Sequence, residues 1–317
     1  MKAWLGLCIP RLCIPGLRIA VLGILVLSIP IPCLTAPPPA SAQTVFASTQ
    51  SATLPTAAPS DAGDILVEIS HRFGYLSGGA SDLWGLDGFV LNRLGLAYAP
   101  HDAFTIGILR SNSLDNTELN LRFAGLGFDA PTGPVEFAAQ AGVAWNLQVD
   151  TAGGHVGHQH VVLHGGQSGT GDNAGTANRS RDETAEDNEM QAYAQVISNA
   201  MIAGRLALGV VPTLLWNPRI HDADPVSTVS VGVNGQLYLD RTWSVFGEWI
   251  FSQAREDQEY DSGSFGAEIR TRGHFFKLLV TNQHQMNPTQ TLAGAAEDFL
   301  DTGSWRLGFN IQRRLRF

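Results

Sequence analysis

Four histidines, His155, His158, His160 and His164, stand in one glycine-flanked run, GGHVGHQHVVLHGG. Imidazoles so spaced could hold Zn or Cu, both of which accept nitrogen ligands. The run continues into QSGTGDNAGTANRSRDETAEDNE, a polar stretch that reads as a solvated loop and gives a metal no rigid frame. Both readings stand, a metal site or a solvated loop. A second pair, His71-Arg72, falls in a strand-like segment, where neighbouring side chains point to opposite faces. Arg72 then shares a face with Glu68, either to meet a ligand or ion or to form a structural ion pair. His71 is left for an interface or for packing into a loop. Catalytic patterns are sparse. No Gly-x-Ser-x-Gly elbow, P-loop or EF-hand occurs, and His101-Asp102 and His221-Asp222 fall in a predicted turn and a predicted loop. We therefore expect no enzyme and no cofactor, with an outer-membrane hydrolase as a distant third reading.

The more telling chemistry is a row of charges on one face of successive strands. Arg72, Arg93, Glu118, Arg122, Glu136, Glu248 and Arg306 alternate with apolar neighbours. Inside a dry sandwich each would cost several kcal/mol unless paired. Lining a wet lumen they cost far less, or they pair across it and close it.

The elements that would carry them are strands of period 2. We read twelve, over 64–75, 89–99, 103–111, 117–128, 135–149, 188–200, 205–216, 227–239, 242–253, 263–271, 274–283 and 304–317. They exceed the globular strand norm and suit tilted membrane crossings. Connections after strands 2, 4, 6, 8 and 10 are short. Those after 1, 5, 7, 9 and 11 are longer and rich in Gly, Asp and Asn, while 112–116 after strand 3 is intermediate. Bacterial barrels sort their loops this way, with short periplasmic turns and long outer loops. The last strand alternates Trp305, Leu307, Phe309, Ile311 and Leu315 and ends in Phe317, like the signal read by the outer-membrane assembly machinery. Trp145, Trp216, Trp243, Trp249, Trp305, Tyr98 and Phe251 could form aromatic girdles. The expected fold is all-β, an antiparallel up-and-down transmembrane β-barrel of about twelve strands.

The first 42 residues read as a signal peptide. Lys2, Arg11 and Arg18 precede or flank an apolar run over 19–29, and Ala40-Ser41-Ala42 offers a cleavage site. Cys33 allows a second reading as a lipoprotein anchor. All three cysteines, Cys8, Cys13 and Cys33, lie in this leader, so disulfides and zinc-thiolate sites are excluded after it. Residues 43–63, rich in Ser, Thr, Ala and Pro, are expected to be a flexible periplasmic linker. The barrel would then occupy 64–317. The net charge of −9 includes a purely basic leader, so the remainder is more acidic still and unsuited to nucleic acid. The expected partners are outer-membrane lipid and the assembly machinery.

Several segments resemble a barrel family known as domain of unknown function 5777. They are His71-Arg72-Phe73-Gly74, Trp84-Gly85-Leu86-Asp87, Arg93-Leu94-Gly95-Leu96-Ala97-Tyr98 and Ile106-Gly107-Ile108-Leu109-Arg110-Ser111. Near the end they are His274-Phe275-Phe276-Lys277-Leu278, Thr281-Asn282 and Gly308-Phe309-Asn310-Ile311. The resemblance implies a membrane β-barrel and no particular activity. The expected function is a narrow, porin-like channel for small solutes, with a non-conducting scaffold or partner-docking barrel as the alternative.

Overall fold

A strand that is apolar on one face and polar on the other cannot be satisfied alone, and an open edge would leave backbone groups unpaired. Closing the sheet on itself solves both problems, and this chain does so. The computed structural model describes residues 44–147, 190–220, 225–253 and 259–316. Its strands are β1 (Ile65–Tyr75), β2 (Leu91–His101), β3 (Phe104–Ser111), β4 (Asn116–Ala130), β5 (Gly133–Asn146) and β6 (Met190–Ile202). They continue with β7 (Leu206–Trp216), β8 (Ser227–Tyr238), β9 (Trp243–Ser252), β10 (Ser262–Thr271), β11 (His274–Thr281) and β12 (Arg306–Leu315). Each pairs antiparallel with its neighbour in sequence, and β1 pairs with β12 to close the barrel, Ile69 opposite Ile311. The twelve expected strands are all present, with ends shifted by three residues at most.

The alternation maps onto the two faces of the wall. Leu94, Leu96 and Tyr98 of β2 point outward and are about half exposed, while Leu91 and Arg93 of the same strand are buried. Leu119, Leu121 and Phe123 of β4 likewise face out, and Glu118 and Arg122 face in. So apolar an outer surface fits lipid rather than water. Only a few residues join β2 to β3, β4 to β5, β6 to β7, β8 to β9 and β10 to β11. In the last of these turns Gly273 takes φ +83, a conformation that favours glycine. In the β8–β9 turn, Asp240 accepts from the N–H groups of Thr242 (2.6 Å) and Trp243 (2.8 Å). The longer connections all lie at the other end. Between β6 and β7 the ladder skips Val196 and Ile197 opposite Val211 and Pro212, where Pro212 has no N–H to donate.

One expectation is overturned. Residues 44–60 are not a linker outside the barrel. Val45, Phe46, Ala52, Leu54, Thr56 and Ala57 are 0–1% exposed, and their partners are lumen residues of distant strands. The segment folds back on itself, with Thr56 N–H bonded to Thr49 O (3.0 Å) and Gln50 bridging Pro55. We call it the plug. A second segment, the insert between β11 and β12, also turns inward. Its short helix α1 (Pro288–Thr291) is wholly buried, as are Met286, Leu292 and Ala293.

Candidate functional site

The wall's own backbone groups are engaged in the ladder. A chain inside the lumen must therefore satisfy its N–H and C=O groups with wall side chains or water. The inward charges do this. Glu248 of β9 accepts from three successive plug N–H groups, those of Ala52 (3.0 Å), Thr53 (3.0 Å) and Leu54 (2.9 Å), and from the Thr53 hydroxyl. Successive N–H groups converging on one carboxylate form an anion-binding nest, and here the anion belongs to the protein itself. Arg122 of β4 donates to the carbonyls of Thr56 and, at 2.6 Å, Ala58. Lys277 of β11 donates to the carbonyls of Gln50 and Ser51 and pairs with Glu268 at 3.3 Å. Asn310 donates to Ala52 O (2.6 Å), and Asn199 accepts from Ala57 N–H. At the near end of the plug, Glu136 accepts from Val45 N–H at 3.2 Å.

Side-chain packing adds two anchors. Leu54 sits in an apolar cluster with the inward-facing Ile197, Val211, Leu215 and Ile250 and with Leu292 of the insert. Gly232 leaves room for it, because a Cβ there would lie 2.5 Å from a Leu54 methyl. Val45 and Phe46 pack with Met201, Ala207 and Tyr238. Burying a leucine side chain is worth roughly 2 kcal/mol, so these contacts hold the plug as firmly as one or two of its hydrogen bonds.

Of the seven charges, Arg72, Arg93, Glu118, Arg122 and Glu248 are buried and Glu136 and Arg306 half-buried, and they bond to other protein groups rather than line an open path. Glu68 pairs with Arg93 rather than with Arg72, and Arg93 also reaches Gln50 Oε1 (2.9 Å) and Met286 O. Arg72 donates to Asn310 Oδ1 at 2.8 Å and to His71 O at 2.9 Å. Glu118 accepts from Tyr193 OH at 2.7 Å. Arg306, nearest the loop end, lies over the Tyr75 ring at 3.7 Å and pairs with Glu297 at 3.5 Å. His71, on the outer face, stacks on Phe309 with centroids 4.5 Å apart. Between plug and wall a cavity of about 100 Å³ remains, lined by Gln50, Thr53, Glu68, Arg93 and Arg122 among others. That is room for roughly three waters. A larger hollow of about 580 Å³ lies on the outer face, where Ala139, Ala141, Ala194 and Pro212 leave space between bulkier aliphatic side chains.

The insert is held by a different set. Ser252 donates to Leu292 O (2.9 Å) and Ala293 O (2.8 Å), and Ser230 donates to Leu292 O (2.6 Å). Asn287 donates to Asn116 Oδ1, and Gln290 to Ser113 O at 3.0 Å. At its root, burial and the nearby Arg306 cation hold His284 down at about 4. Asp61 and Asp64, between plug and β1, pair with Arg316, and Asp64 also with Arg314, so the end of β12 fastens the plug's outlet.

His155, His158, His160 and His164 lie outside the described residues, as do the proposed cleavage site and Phe317. Among the described residues no three His, Cys, Asp or Glu side chains come together as a metal site. Sequence reasoning missed the plug and the insert. Their one legible signal was a lapse in the pattern, the inward-facing Ile197, Val211, Leu215 and Ile250, which would need covering in a wet lumen.

Solved barrels of similar course include the NanC porin (7% identity, 80% of this chain and 100% of that one, TM-score 0.43). Others are an outer membrane channel from Pseudomonas putida F1 (13%, 81% and 97%, 0.41) and LpxR from Salmonella typhimurium (10%, 80% and 100%, 0.30). These likenesses are too distant to bear on function. No curated protein gives a match. The model of a family described as a membrane bound beta barrel domain (DUF5777) matches residues 46–315, which takes in the plug as well as all twelve strands, and the chain belongs to that family.

Proposed function

We propose that the protein is an outer-membrane barrel forming a narrow channel for small solutes, closed at rest by its own N-terminal segment. One observation carries the reading: residues 45–58 lie within the lumen, gripped by Glu248 and Arg122. The outer-membrane location is supported by the leader, the apolar outward face and the sorting of turns to one end. Lipid would cover that face, and the apolar alternation of β12 suits recognition by the assembly machinery. Glu248, Arg122 and Lys277 are chemically fit for a wet lumen, because each would be solvated if the plug withdrew. The plug's side chains are mostly small, and with the leader cleaved near Ala42 it is tied to the barrel at one end only, so withdrawal needs no strand to unpair.

The second reading, a non-conducting scaffold, has its own support. The insert also enters the lumen, packs on the plug through Leu292 and Leu54, and is anchored at both ends.

The test is single-channel conductance in a planar bilayer, comparing the full chain with Phe46→Glu/Leu54→Glu, which removes the plug's apolar anchors. The channel reading expects a silent parent and a variant with discrete ion-conducting steps. A variant that is folded, with its plug accessible to protease, and still silent would favour the scaffold.

A further inference from the structure

The contacts between wall and plug fall mainly on the plug's main chain. Glu248 takes N–H groups, while Arg122 and Lys277 supply donors to carbonyls. Asn310 and Asn199 meet one further C=O and one further N–H. Main-chain groups are the same in every sequence. What such a wall recognises is therefore a backbone course, here a tight reversal at residues 51–54 closed by Ser51 N–H on Leu54 O (2.8 Å). Apart from the apolar anchors Val45, Phe46 and Leu54, the plug's side chains set mainly a size limit, since most are Ala, Ser, Thr or Pro. A few polar side chains do contribute, Thr53 to Glu248, Ser48 to Glu268 and Lys277, and Gln50 to Arg93 and Gln312.

We propose that the lumen is a peptide-binding site, and that the plug is its resident occupant. The ligand class is an oligopeptide with small side chains that can fold back on itself. When the plug withdraws, the Glu248 carboxylate and the Arg122 guanidinium lose their main-chain partners and face the space the plug had filled beside the insert. An incoming peptide satisfies both without any strand of the barrel moving. This rests on the channel reading above, because the plug must be able to leave.

The test uses the full chain carrying Phe46→Glu/Leu54→Glu, with folding checked by heat-modifiable migration. Three fluorescent peptides are titrated and read by anisotropy. One has the sequence of residues 44–60. The second keeps Phe46, Leu54, Pro55 and Pro59 and replaces the rest by Ala and Ser. The third is N-methylated at the positions of Ala52, Thr53 and Leu54. The first two should bind within about threefold of each other. The third should bind at least about tenfold more weakly, having lost its donors to a charged acceptor. Adding Glu248→Gln to the barrel should shrink that difference, and Arg122→Ala should weaken the first two peptides alike.

Binding of the native sequence but not the simplified one would overturn the proposal in favour of side-chain recognition. Equal binding of the N-methylated peptide would overturn it as well. A variant that conducts but binds no peptide would overturn it and leave the channel reading standing. A variant that neither conducts nor binds would overturn both.

Discussion

Two segments of one chain fill the same lumen and are held in contrasting ways. The plug runs into the barrel wall at β1, and charged side chains reach its backbone: Glu248, Arg122 and Lys277. The insert is tied at both ends, to β11 and β12, and its bonds to the wall are mostly neutral, through Ser230, Ser252, Asn116 and Ser113, with Arg93 on Met286 O and Glu118 beneath Thr289 as the charged exceptions. Hydrogen bonds to ions are worth roughly twice those between neutral groups, so the plug has the stronger individual contacts. It also has the easier exit. A charged group left behind by a departing plug can be hydrated in a lumen open to water. The insert cannot leave without dragging the ends of two strands. On the proposed channel reading, with the leader removed, the plug is the gate and the insert, fixed between two strands, is a lining.

Breaking the grip on the plug should give the largest effect. Glu248→Ala leaves three buried N–H groups without an acceptor, at a cost of roughly 4 kcal/mol to the closed state. Proteolysis should then cut within residues 44–60 while the barrel stays folded, and the full chain should conduct. An uncut, silent variant would remove Glu248 from the account. Leu54→Ala should follow, at about 3 kcal/mol for a buried leucine truncated beside a second segment. Its plug should become protease-sensitive at lower denaturant than the parent's. Arg122→Ala removes the donor to two carbonyls and should cost about 2 kcal/mol, read in the same assay. The opposite pole of the comparison is Ser252→Ala, which loses the donor to Leu292 and Ala293 carbonyls. Loss of about 1 kcal/mol is expected, seen as faster hydrogen exchange in the insert with no conductance. Conductance there would mean that the insert, not the plug, is the gate.

The smallest effect expected is one of pH. His284 titrates near 4 in the closed structure, below its ordinary 6.5. An insert whose root has opened takes up the proton more readily, so the closed form is fully favoured above about 6.5 and loses ground as pH falls towards 4. Protection factors across the insert, which divide out the intrinsic pH dependence of exchange, should fall between pH 7 and 5, and His284→Gln should flatten that dependence.

Much of the wall was legible because its code is local. Alternation in β2 and β4 predicts which way Leu94, Arg93, Leu119 and Glu118 point, and the structure agrees. The same parity buries Arg72, Arg93, Glu118, Arg122 and Glu248. Their partners were not legible, because a partner is set by what else enters the lumen. A shared face on one strand offers Glu68 to Arg72, as an alternative to a ligand, whereas Arg93 on the next strand reaches Glu68. The plug was read as a linker for a sound local reason: small, polar and Pro-containing sequence cannot build a core of its own. What orders it is a cradle assembled from residues far along the chain, with Leu54 and Glu248 separated by 194 positions. No local pattern carries that. The glycine at 232, which admits Leu54, reads in sequence as one more small residue in a strand.

The most direct measurement is a cysteine pair across the contact between plug and wall. Leu54→Cys and Gly232→Cys would be introduced with Cys8, Cys13 and Cys33 replaced, so that no other thiol is present. Mild oxidation of the folded barrel should join the two within one chain, shield both from a membrane-impermeant maleimide, and keep the barrel silent in a bilayer until a reductant is added. Two free thiols, both labelled in a heat-modifiable folded barrel, would contradict the account, because the plug would then not be seated in the lumen.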